Sequence, residues 1–226
     1  RGAHLMIQQE KMKVVRQQQV ADSIFEITLE GQLTDQMQEP GQFVHLRVAD
    51  SYEPSLRRPI SIANIDHDNK QFTMLYRAGG RGTDVLSKKQ VGDVVDVLGP
   101  LGHGFPVEET QPGETALLVG GGIGVPPLYE LSKRLNERGV KTIHVLGFRG
   151  AKDVFYEDEF NQLGETYIVT EDGSSGHQGF VTTLINEKNP AFDTFYTCGP
   201  TPMLRAVDQA FPGKKGFLSF EERMGC

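Results

Sequence analysis

The sequence predicts an antiparallel β-barrel followed by a doubly wound α/β domain with a parallel sheet. Three observations predict this order. Short runs in which apolar and polar residues alternate fill the chain to about residue 100. After residue 113, segments with a strand pattern alternate with segments with a helix pattern, and a segment rich in Gly, Pro and Glu (102–113) separates the two regions. We therefore expect a barrel over residues 7–102, an α/β domain over 113–215 and a short tail over 216–226.

The first half contains six segments with the two-residue period of a half-buried strand. Phe25, Ile27 and Leu29, for example, alternate with polar neighbours, and pairs such as Pro40-Gly41 separate the segments. Six strands and one short helix, at 83–88, are typical of a closed antiparallel barrel. The predicted strands cover residues 12–17, 25–29, 44–48, 59–63, 72–77 and 94–98.

The second half begins with a short apolar strand, 115–119, that runs into a glycine-rich loop, 120–124. The helix after this loop tolerates Pro126 and Pro127 in its first turn and ends at Arg138-Gly139. Alternation of strands and helices predicts a parallel sheet with helices on both faces. Further strands are predicted at 142–147, 167–170 and 194–198, and further helices at 156–163, 181–187 and 202–211.

The composition excludes several classes of protein. The 23 Lys and Arg residues against 30 Asp and Glu give a net charge of −7, which argues against a nucleic-acid partner. No segment approaches the roughly 20 apolar residues of a membrane span, and no secretory signal is recognisable. The two cysteines, Cys198 and Cys226, exclude a disulfide scaffold or a four-cysteine metal site built from these residues alone. A reducing cytoplasm is the simplest location.

The glycine loop 120–124 predicts phosphate binding, because a strand that ends in glycines before a helix lets the backbone approach an anion. It differs from the usual dinucleotide fingerprint, since Val125 stands at the third glycine position and the next strand ends without an acidic residue at Phe148-Arg149. A tight turn without a ligand is the alternative interpretation.

Two further motifs lie in the predicted barrel. In Arg57-Arg58-Pro59-Ile60-Ser61, an arginine can clamp a diphosphate and a hydroxyl can bind a planar ring system. The segment 79–83, Gly-Gly-Arg-Gly-Thr, opens the short helix and is a second possible anion cradle. A surface arginine pair and a plain glycine turn are the alternatives.

Two more motifs follow predicted parallel strands, where open α/β sheets bind their ligands. The first is 197–203, Thr-Cys-Gly-Pro-Thr-Pro-Met, and the second is 170–174, Thr-Glu-Asp-Gly-Ser. Alone, Cys198 would be interpreted as a small buried hydrophobic residue. The histidines show no ligand spacing, and neither a Walker loop nor a Gly-x-Ser-x-Gly turn occurs, so zinc and hydrolase functions have no support.

In this order, the motifs resemble those of the ferredoxin–NADP reductase superfamily, in which a flavin-binding barrel precedes a nicotinamide-binding α/β domain. Arg58-Pro59-Ile60-Ser61 is similar to the flavin motif of that superfamily, although Ile60 replaces its common tyrosine. The loop 120–124 is similar to the nicotinamide pyrophosphate loop, and Cys198-Gly199-Pro200 to the cysteine motif beside the nicotinamide. The resemblance extends over the chain from residue 12.

Within the superfamily, the chain resembles the electron-transfer subunits of class 1B dihydroorotate dehydrogenases. In those subunits a segment like Glu222-Arg223-Met224-x-Cys226 runs into a cysteine cluster that holds a 2Fe–2S centre. The resemblance implies that Cys226 is the first metal ligand. The other three ligands are missing from these 226 residues, so we expect the 2Fe–2S cluster of the complete chain to be absent from this one.

The resemblance implies FAD and NAD as cofactors and an FMN-containing catalytic subunit as partner, in a heterotetramer. Ser61 would lie near flavin N5 and Cys198 beside the reacting nicotinamide carbon, as the two catalytic positions. The residues implied to contact FAD are Arg58, Pro59, Ile60, Ser61, Leu75, Tyr76, Arg77, Gly82 and Thr83. Those implied to contact NAD are Gly121, Gly122, Gly124, Asp172, Cys198, Gly199 and Pro200.

Two alternatives and one choice stay open at this point. Flavin subunits of hydrogenases, sulfide dehydrogenases and electron-bifurcating NAD(P)H–ferredoxin complexes share these motifs. A nonenzymatic flavin- or nucleotide-binding regulator is a second alternative. Arg149 suits the 2′-phosphate of NADP, whereas Asp153 and the nearest family favour NAD.

Overall fold

The computed structural model describes residues 6–47 and 57–220. The chain divides into two compact units, with the boundary between Gly104 and Phe105. Each unit encloses a hydrophobic core of its own. In the described ranges, no helix is both long and apolar enough to cross a membrane.

The first unit is a closed barrel of six antiparallel strands in the order β1-β2-β5-β4-β3-β6. The first strand closes the barrel, because its first half pairs with the last strand and its second half with the second strand. This confirms the predicted barrel. Its elements are β1 (Gln8–Ala21), β2 (Ile24–Glu30), a 3₁₀ turn (Gln32–Gln36), β3 (Phe43–Arg47), β4 (Arg57–Asp66), β5 (Gln71–Arg77), α1 (Arg81–Leu86) and β6 (Val94–Leu101).

The alternation along each strand fills the barrel with apolar side chains. Ile27 and Leu29 of β2 and Met74 of β5 are 0% exposed and belong to one core cluster. Their polar neighbours lie on the outer surface of the wall, where Thr28 and Thr73 join β2 and β5 by a hydrogen bond of 2.8 Å between their hydroxyls. The alternation of inward apolar residues and outward polar residues therefore sets the register of the strands. Val48, predicted to end β3, lies outside the described residues.

The second unit is a six-stranded parallel sheet in the order β10-β9-β8-β7-β11-β12. Helices cover both of its faces, which confirms the predicted doubly wound fold. The strands are β7 (Thr115–Gly121), β8 (Lys141–Phe148), β9 (Glu165–Thr170), β10 (His177–Gln178), β11 (Thr194–Gly199) and β12 (Lys215–Phe220). The helices are α2 (Pro126–Glu137), α3 (Glu157–Leu163), α4 (Val181–Lys188) and α5 (Thr201–Ala210).

Successive residues of the central strand β7 face opposite layers of helices. Leu117 and Val119 belong to the core cluster that contains the buried side chains of α4 and Val207 of α5. Gly120 faces the other layer, because a β-carbon built on it would lie 2.7 Å from Leu128 of α2. The carboxyl ends of the strands, where the predicted nucleotide motifs lie, form one edge between these layers.

Several element bounds differ from the prediction. Helix α3 begins at Glu157 rather than at Tyr156, because Tyr156 has a φ of +62°, in the left-handed region that ends a helix. Helix α1 begins at Arg81 because Thr83 caps it through Gly80. The strand β12 was not predicted; it gains its stability from pairing along β11 and from the stacking of Phe217 on Tyr196, at 5.6 Å between ring centroids.

Candidate functional site

The pairing of β4 with β5 stops short of the residues predicted to contact the flavin, which leaves an opening in the hydrogen-bonded ladder. The β4–β5 ladder runs from Asp66↔Gln71 to Ile62↔Met74, and in the described chain it ends there. We call this opening the β4–β5 mouth; it is bordered by the strand ends beyond the ladder, namely Pro59, Ile60 and Ser61 on β4 and Leu75, Tyr76 and Arg77 on β5.

The side chains at the mouth differ in how much surface they offer to a ligand. Ser61 is 7% exposed and Leu75 1% exposed, whereas Arg77 is exposed. Tyr76 is a core residue: its ring stacks on Phe25, and its hydroxyl donates a hydrogen bond of 3.0 Å to Gln17. Burial raises the pKa of Tyr76, so the phenol stays neutral. A ligand in the mouth would therefore contact Tyr76 through its main chain.

Two arginines at the start of β4 concentrate positive charge beside the mouth. Nη1 of Arg58 donates a hydrogen bond of 3.2 Å to the carbonyl oxygen of Arg57. Nη1 of Arg57 is buried, and no acceptor for it is found among the described residues. Burial, and then the charge of Arg57, lowers the pKa of His45 on the neighbouring strand β3. This set of donors fits a diphosphate.

The chain beyond β5 forms a glycine turn that leads into α1. Gly79 has a φ of +120°, and a β-carbon built on it would meet no atom within 4 Å. The hydroxyl of Thr83 accepts a hydrogen bond of 3.1 Å from the N–H of Gly80, so it already closes this turn. Gly82 is buried. The open side at Gly79 leaves room for a phosphate next to the mouth.

The second unit has a topological switch point between β7 and β11. From β7 the sheet continues to β8 and β9 on one side, and from β11 to β12 on the other. The two central strands are paired, with Cys198 opposite Gly120. Open α/β sheets bind ligands outside the carboxyl ends of strands at such a point, so the glycine loop and the cysteine motif lie where a nucleotide is expected.

The glycine loop packs directly on the cysteine motif. A β-carbon on Gly124 would lie 2.2 Å from the carbonyl oxygen of Cys198, so only glycine permits this contact. Elsewhere in the loop, Gly122 has a φ of +52°, and a β-carbon there would meet no atom of the described residues within 4 Å. One side of the loop is thus packed and the other is open, which is the geometry of a backbone cradle for a pyrophosphate.

The cysteine motif forms the other wall of the crevice. Cys198 is 0% exposed, Gly199 is the last residue of β11, and Pro200 is the N-cap of α5. A thiol buried to this degree shapes a binding surface and is poorly placed for nucleophilic attack. The structure thus brings Gly121, Gly122 and Gly124 together with Cys198, Gly199 and Pro200.

Asp172 lies on the same edge of the sheet, beyond β9, two strands from β7. Its Oδ1 accepts hydrogen bonds from the hydroxyl and the N–H of Ser174, at 2.6 and 3.0 Å. These bonds, the hydroxyl first, lower the pKa of Asp172. The hydroxyl oxygen of Ser174 accepts a bond of 2.7 Å from the N–H of Ala151. Asp172 therefore fastens the loop after β9 to the loop after β8, with only its Oδ2 available to a ligand.

Sequence reasoning missed two residues at these sites. Arg57 directly precedes the flavin motif and Met203 ends the cysteine motif, but the sequence alone indicates no role for either residue. Met203 covers two of the glycines, Gly121 and Gly199. Only its position, five residues after the cysteine, hinted at this contact.

The predicted metal ligand Cys226 lies outside the described residues; within them, no group of three or more His, Cys, Asp or Glu side chains is arranged to hold a metal ion.

Comparisons with known proteins match each unit separately and the chain as a whole. The oxidoreductase FAD-binding domain family matches residues 11–105, and the oxidoreductase NAD-binding domain family matches residues 118–209. The chain is 64% identical to the "Dihydroorotate dehydrogenase B (NAD(+)), electron transfer subunit" of Lysinibacillus sphaericus, over 98% of this chain and 86% of the relative. It is 57% identical to the protein of the same name from Bacillus mycoides, over 98% and 85% of the two chains.

Solved structures with this fold include several reductases. An NADH-dependent reduced ferredoxin–NADP oxidoreductase, described for flavin-based electron bifurcation, is 29% identical with a TM-score of 0.77, over 92% of this chain and 72% of that chain. A cytochrome P450 reductase from Amycolatopsis is 22% identical with a TM-score of 0.78, over 96% and 71%. The second similarity shows the fold alone.

Proposed function

Because the chain belongs to the family of electron transfer subunits of dihydroorotate dehydrogenase B (NAD⁺), we propose that it passes electrons from a dihydroorotate-oxidising partner to NAD⁺. It is an FAD-dependent oxidoreductase of pyrimidine biosynthesis. The observation that carries this function is the presence of two nucleotide cradles in one chain, the β4–β5 mouth and the crevice at the β7–β11 switch point.

The residues of the barrel fit FAD. Arg58 neutralises the diphosphate, and Gly82 and Thr83 contact it from the start of α1. The hydroxyl of Ser61 binds the flavin ring, while Pro59, Ile60, Leu75, Tyr76 and Arg77 line the mouth. Bound FAD supplies the redox chemistry that connects single-electron donors to the two-electron acceptor NAD⁺. The protein holds and orients the ring, and the buried positions of Ser61 and Leu75 exclude water from one edge of the mouth.

The residues of the second unit fit NAD⁺. Gly121, Gly122 and Gly124 admit the pyrophosphate on the open side of the loop. Cys198, Gly199 and Pro200 border the nicotinamide and shape its approach. Asp172 binds the ribose with the carboxylate oxygen that Ser174 does not engage. A carboxylate in this position suits a ribose hydroxyl better than the phosphate of NADP.

The names of the relatives imply a catalytic partner subunit. We further propose that this partner contains FMN and that the two subunits form a heterotetramer. In the complete subunit, Cys226 would be the first ligand of a 2Fe–2S cluster that connects the partner to FAD; the other three ligands are not among these 226 residues. The sequence motif around Cys226 supports the cluster.

A second candidate is the flavin subunit of an electron-bifurcating or related NAD(P)H–ferredoxin complex. The 29% identity to the bifurcating oxidoreductase favours it. The 64% identity to a dihydroorotate dehydrogenase subunit, over nearly the whole chain, favours the first function more strongly.

The function is tested first on the purified chain. We expect it to bind FAD with one flavin per chain, and anaerobic addition of NADH to bleach the visible flavin absorption. A chain that binds FAD without reacting with NADH would contradict the proposed function and would favour a nonenzymatic regulator. A chain that binds no flavin would contradict both.

A further inference from the structure

One methionine side chain contacts both walls of the switch-point crevice. Met203 lies in the first turn of α5 and is partly buried against the core of the second unit. A β-carbon built on Gly121 would lie 2.6 Å from its Sδ, and one built on Gly199 would lie 2.7 Å from its Cε. Since real β-carbons essentially never approach another atom that closely, Met203 occupies the volume that side chains at both glycines would need.

The two glycines belong to different motifs. Gly121 is the last residue of β7, at the start of the glycine loop, and Gly199 ends β11 in the cysteine motif. The two strand ends also lie close to each other, because a β-carbon on Gly199 would be 3.4 Å from the main-chain nitrogen of Gly121. Met203 therefore packs across the place where the two motifs meet.

This contact lies on the packed side of the crevice. The open side is at Gly122, where no atom of the described residues lies within 4 Å of a built β-carbon. A nucleotide bound on the open side would leave Met203 to support the main chain from the packed side without touching the ligand. Its flexible thioether can fill an irregular space between two backbones, for which a branched side chain is less suited.

We propose that Met203 is a positioning residue for NAD⁺: by packing against Gly121 and Gly199 it fixes the spacing of the glycine loop and the cysteine motif. This proposal rests on the proposed function, since it requires that the crevice binds NAD⁺. When the methionine side chain is removed, the two strand ends lose their common support, and the cradle is no longer organised before the ligand binds.

The first test compares Met203→Ala with Met203→Leu in the FAD-loaded chain. Titration calorimetry measures the Kd of NAD⁺, and steady-state reduction of ferricyanide by NADH measures KM and kcat. We expect Met203→Ala to raise the Kd and KM about tenfold, while kcat changes less than about twofold. Met203→Leu should stay within about twofold of the wild type, because its volume is similar. An unchanged Kd in Met203→Ala, even with a lower melting temperature, would show a merely structural role and overturn the proposal.

The second test introduces the missing β-carbon. Gly121 has a φ of −133°, which alanine adopts without strain, and among the described residues only Met203 lies within 3.4 Å of the new atom. Gly121→Ala should therefore weaken NAD⁺ binding because it displaces Met203. In this background Met203→Ala should restore affinity, the opposite of its effect in the wild type.

The variants Gly121→Ala and Met203→Ala, with their combination, form a double-mutant cycle. Gly124→Ala is the matched control, because its β-carbon would meet the main chain of Cys198 rather than Met203. Met203→Ala should not rescue it. If the effects of Gly121→Ala and Met203→Ala simply multiply, the proposed contact does not govern binding and the proposal is overturned. If Met203→Ala alone fails to fold, Gly121→Ala is compared with the double variant: a restored affinity supports the proposal, and an unchanged or weaker affinity overturns it. A wild-type chain that does not bind NAD⁺ would instead contradict the proposed function.

Discussion

At the scale of single residues, we expect FAD binding in the barrel to depend most on Arg58. It lies beside the mouth, in a segment that already carries the buried Nη1 of Arg57. A diphosphate would accept charge-assisted hydrogen bonds from such a site. The flavin motif places Arg58 there, and the structure adds Arg57 as a second source of positive potential.

We expect Arg58→Ala to raise the Kd of FAD by about 10- to 100-fold, because hydrogen bonds that involve a charged group contribute about 1.5–3 kcal/mol. The ratio of flavin to protein absorbance after dialysis measures the loss. Lys11→Ala, an exposed cation on β1, is the control for a change in net charge and should retain its flavin. A dialysed Arg58→Ala protein with full yellow colour would refute the role of Arg58.

His144 makes the second unit sensitive to acid. The ring is 0% exposed and contacts Ser132 at 2.7 Å and Thr166 at 2.8 Å. Burial lowers its pKa from 6.5 to about 3. Between these two values the unfolded chain binds a proton that the folded chain does not, so stability falls as the pH falls from 6.5 toward 3.

From pH 7 to pH 5 we expect His144 alone to lower the free energy of unfolding by about 2 kcal/mol. His144→Gln keeps a hydrogen-bond donor and an acceptor but does not titrate. Between pH 7 and pH 5, the free energy of unfolding of this variant should therefore fall by about 2 kcal/mol less than that of the wild type. Urea denaturation followed by circular dichroism at both pH values measures the difference. Equal losses in the wild type and the variant would show that His144 is not the titrating group.

At the scale of elements, the glycine loop is held against the end of β11 by the contact of Gly124 with Cys198. We expect Gly124→Ala to lower the free energy of unfolding of the second unit by about 3 kcal/mol and to abolish measurable NAD⁺ binding, because neither main chain can yield easily. Gly122→Ala should cost only about 1 kcal/mol, since the new side chain meets open space and only the positive φ opposes it.

Thermal unfolding and NAD⁺ titration of both variants measure this difference, with flavin content as the control for an intact barrel. Similar losses of stability in Gly122→Ala and Gly124→Ala would contradict the packing of the loop on β11.

The elements show which parts of the site can be predicted from the sequence. The glycine loop and the Arg58–Ser61 motif depend on local chemistry, namely glycine conformations and a proline at fixed positions, and they are visible in the sequence. The end of the β4–β5 ladder at Ile62↔Met74 is not, because the local pattern does not show where the pairing of two strands stops. The contact of Met203 with Gly121 is tertiary and is likewise not visible in the sequence.

The same distinction explains the errors in element bounds. The strand β12 has no clear alternation, and it forms because β11 offers a partner for each residue from Lys215 to Phe220. Tyr156 looks like the start of a helix in the sequence, but its left-handed backbone places it before α3. The strands of the barrel were easier to predict because their inward residues, such as Ile27 and Leu29, alternate strictly.

At the scale of the whole molecule, the chain combines two proposed nucleotide sites of different architecture. We propose that the barrel binds its cofactor where the β4–β5 ladder stops, and that the parallel sheet binds its ligand at the switch point. A barrel alone would hold a flavin with no dinucleotide acceptor, and an α/β unit alone would bind NAD⁺ with no redox centre. The pairing of the two, together with 64% identity to a subunit of dihydroorotate dehydrogenase B, is what identifies an electron transfer subunit.

The central claim is that this chain connects dihydroorotate oxidation to NAD⁺. The most direct measurement is to co-express the complete form of this subunit, including its cluster-binding cysteines, with the dihydroorotate dehydrogenase catalytic subunit of the same genome, purify the complex, and follow NADH formation after addition of dihydroorotate and NAD⁺. We predict NADH formation that requires both subunits and is lost in Arg58→Ala. A complex that oxidises dihydroorotate with an artificial acceptor but forms no NADH, although this chain carries FAD, would contradict the account.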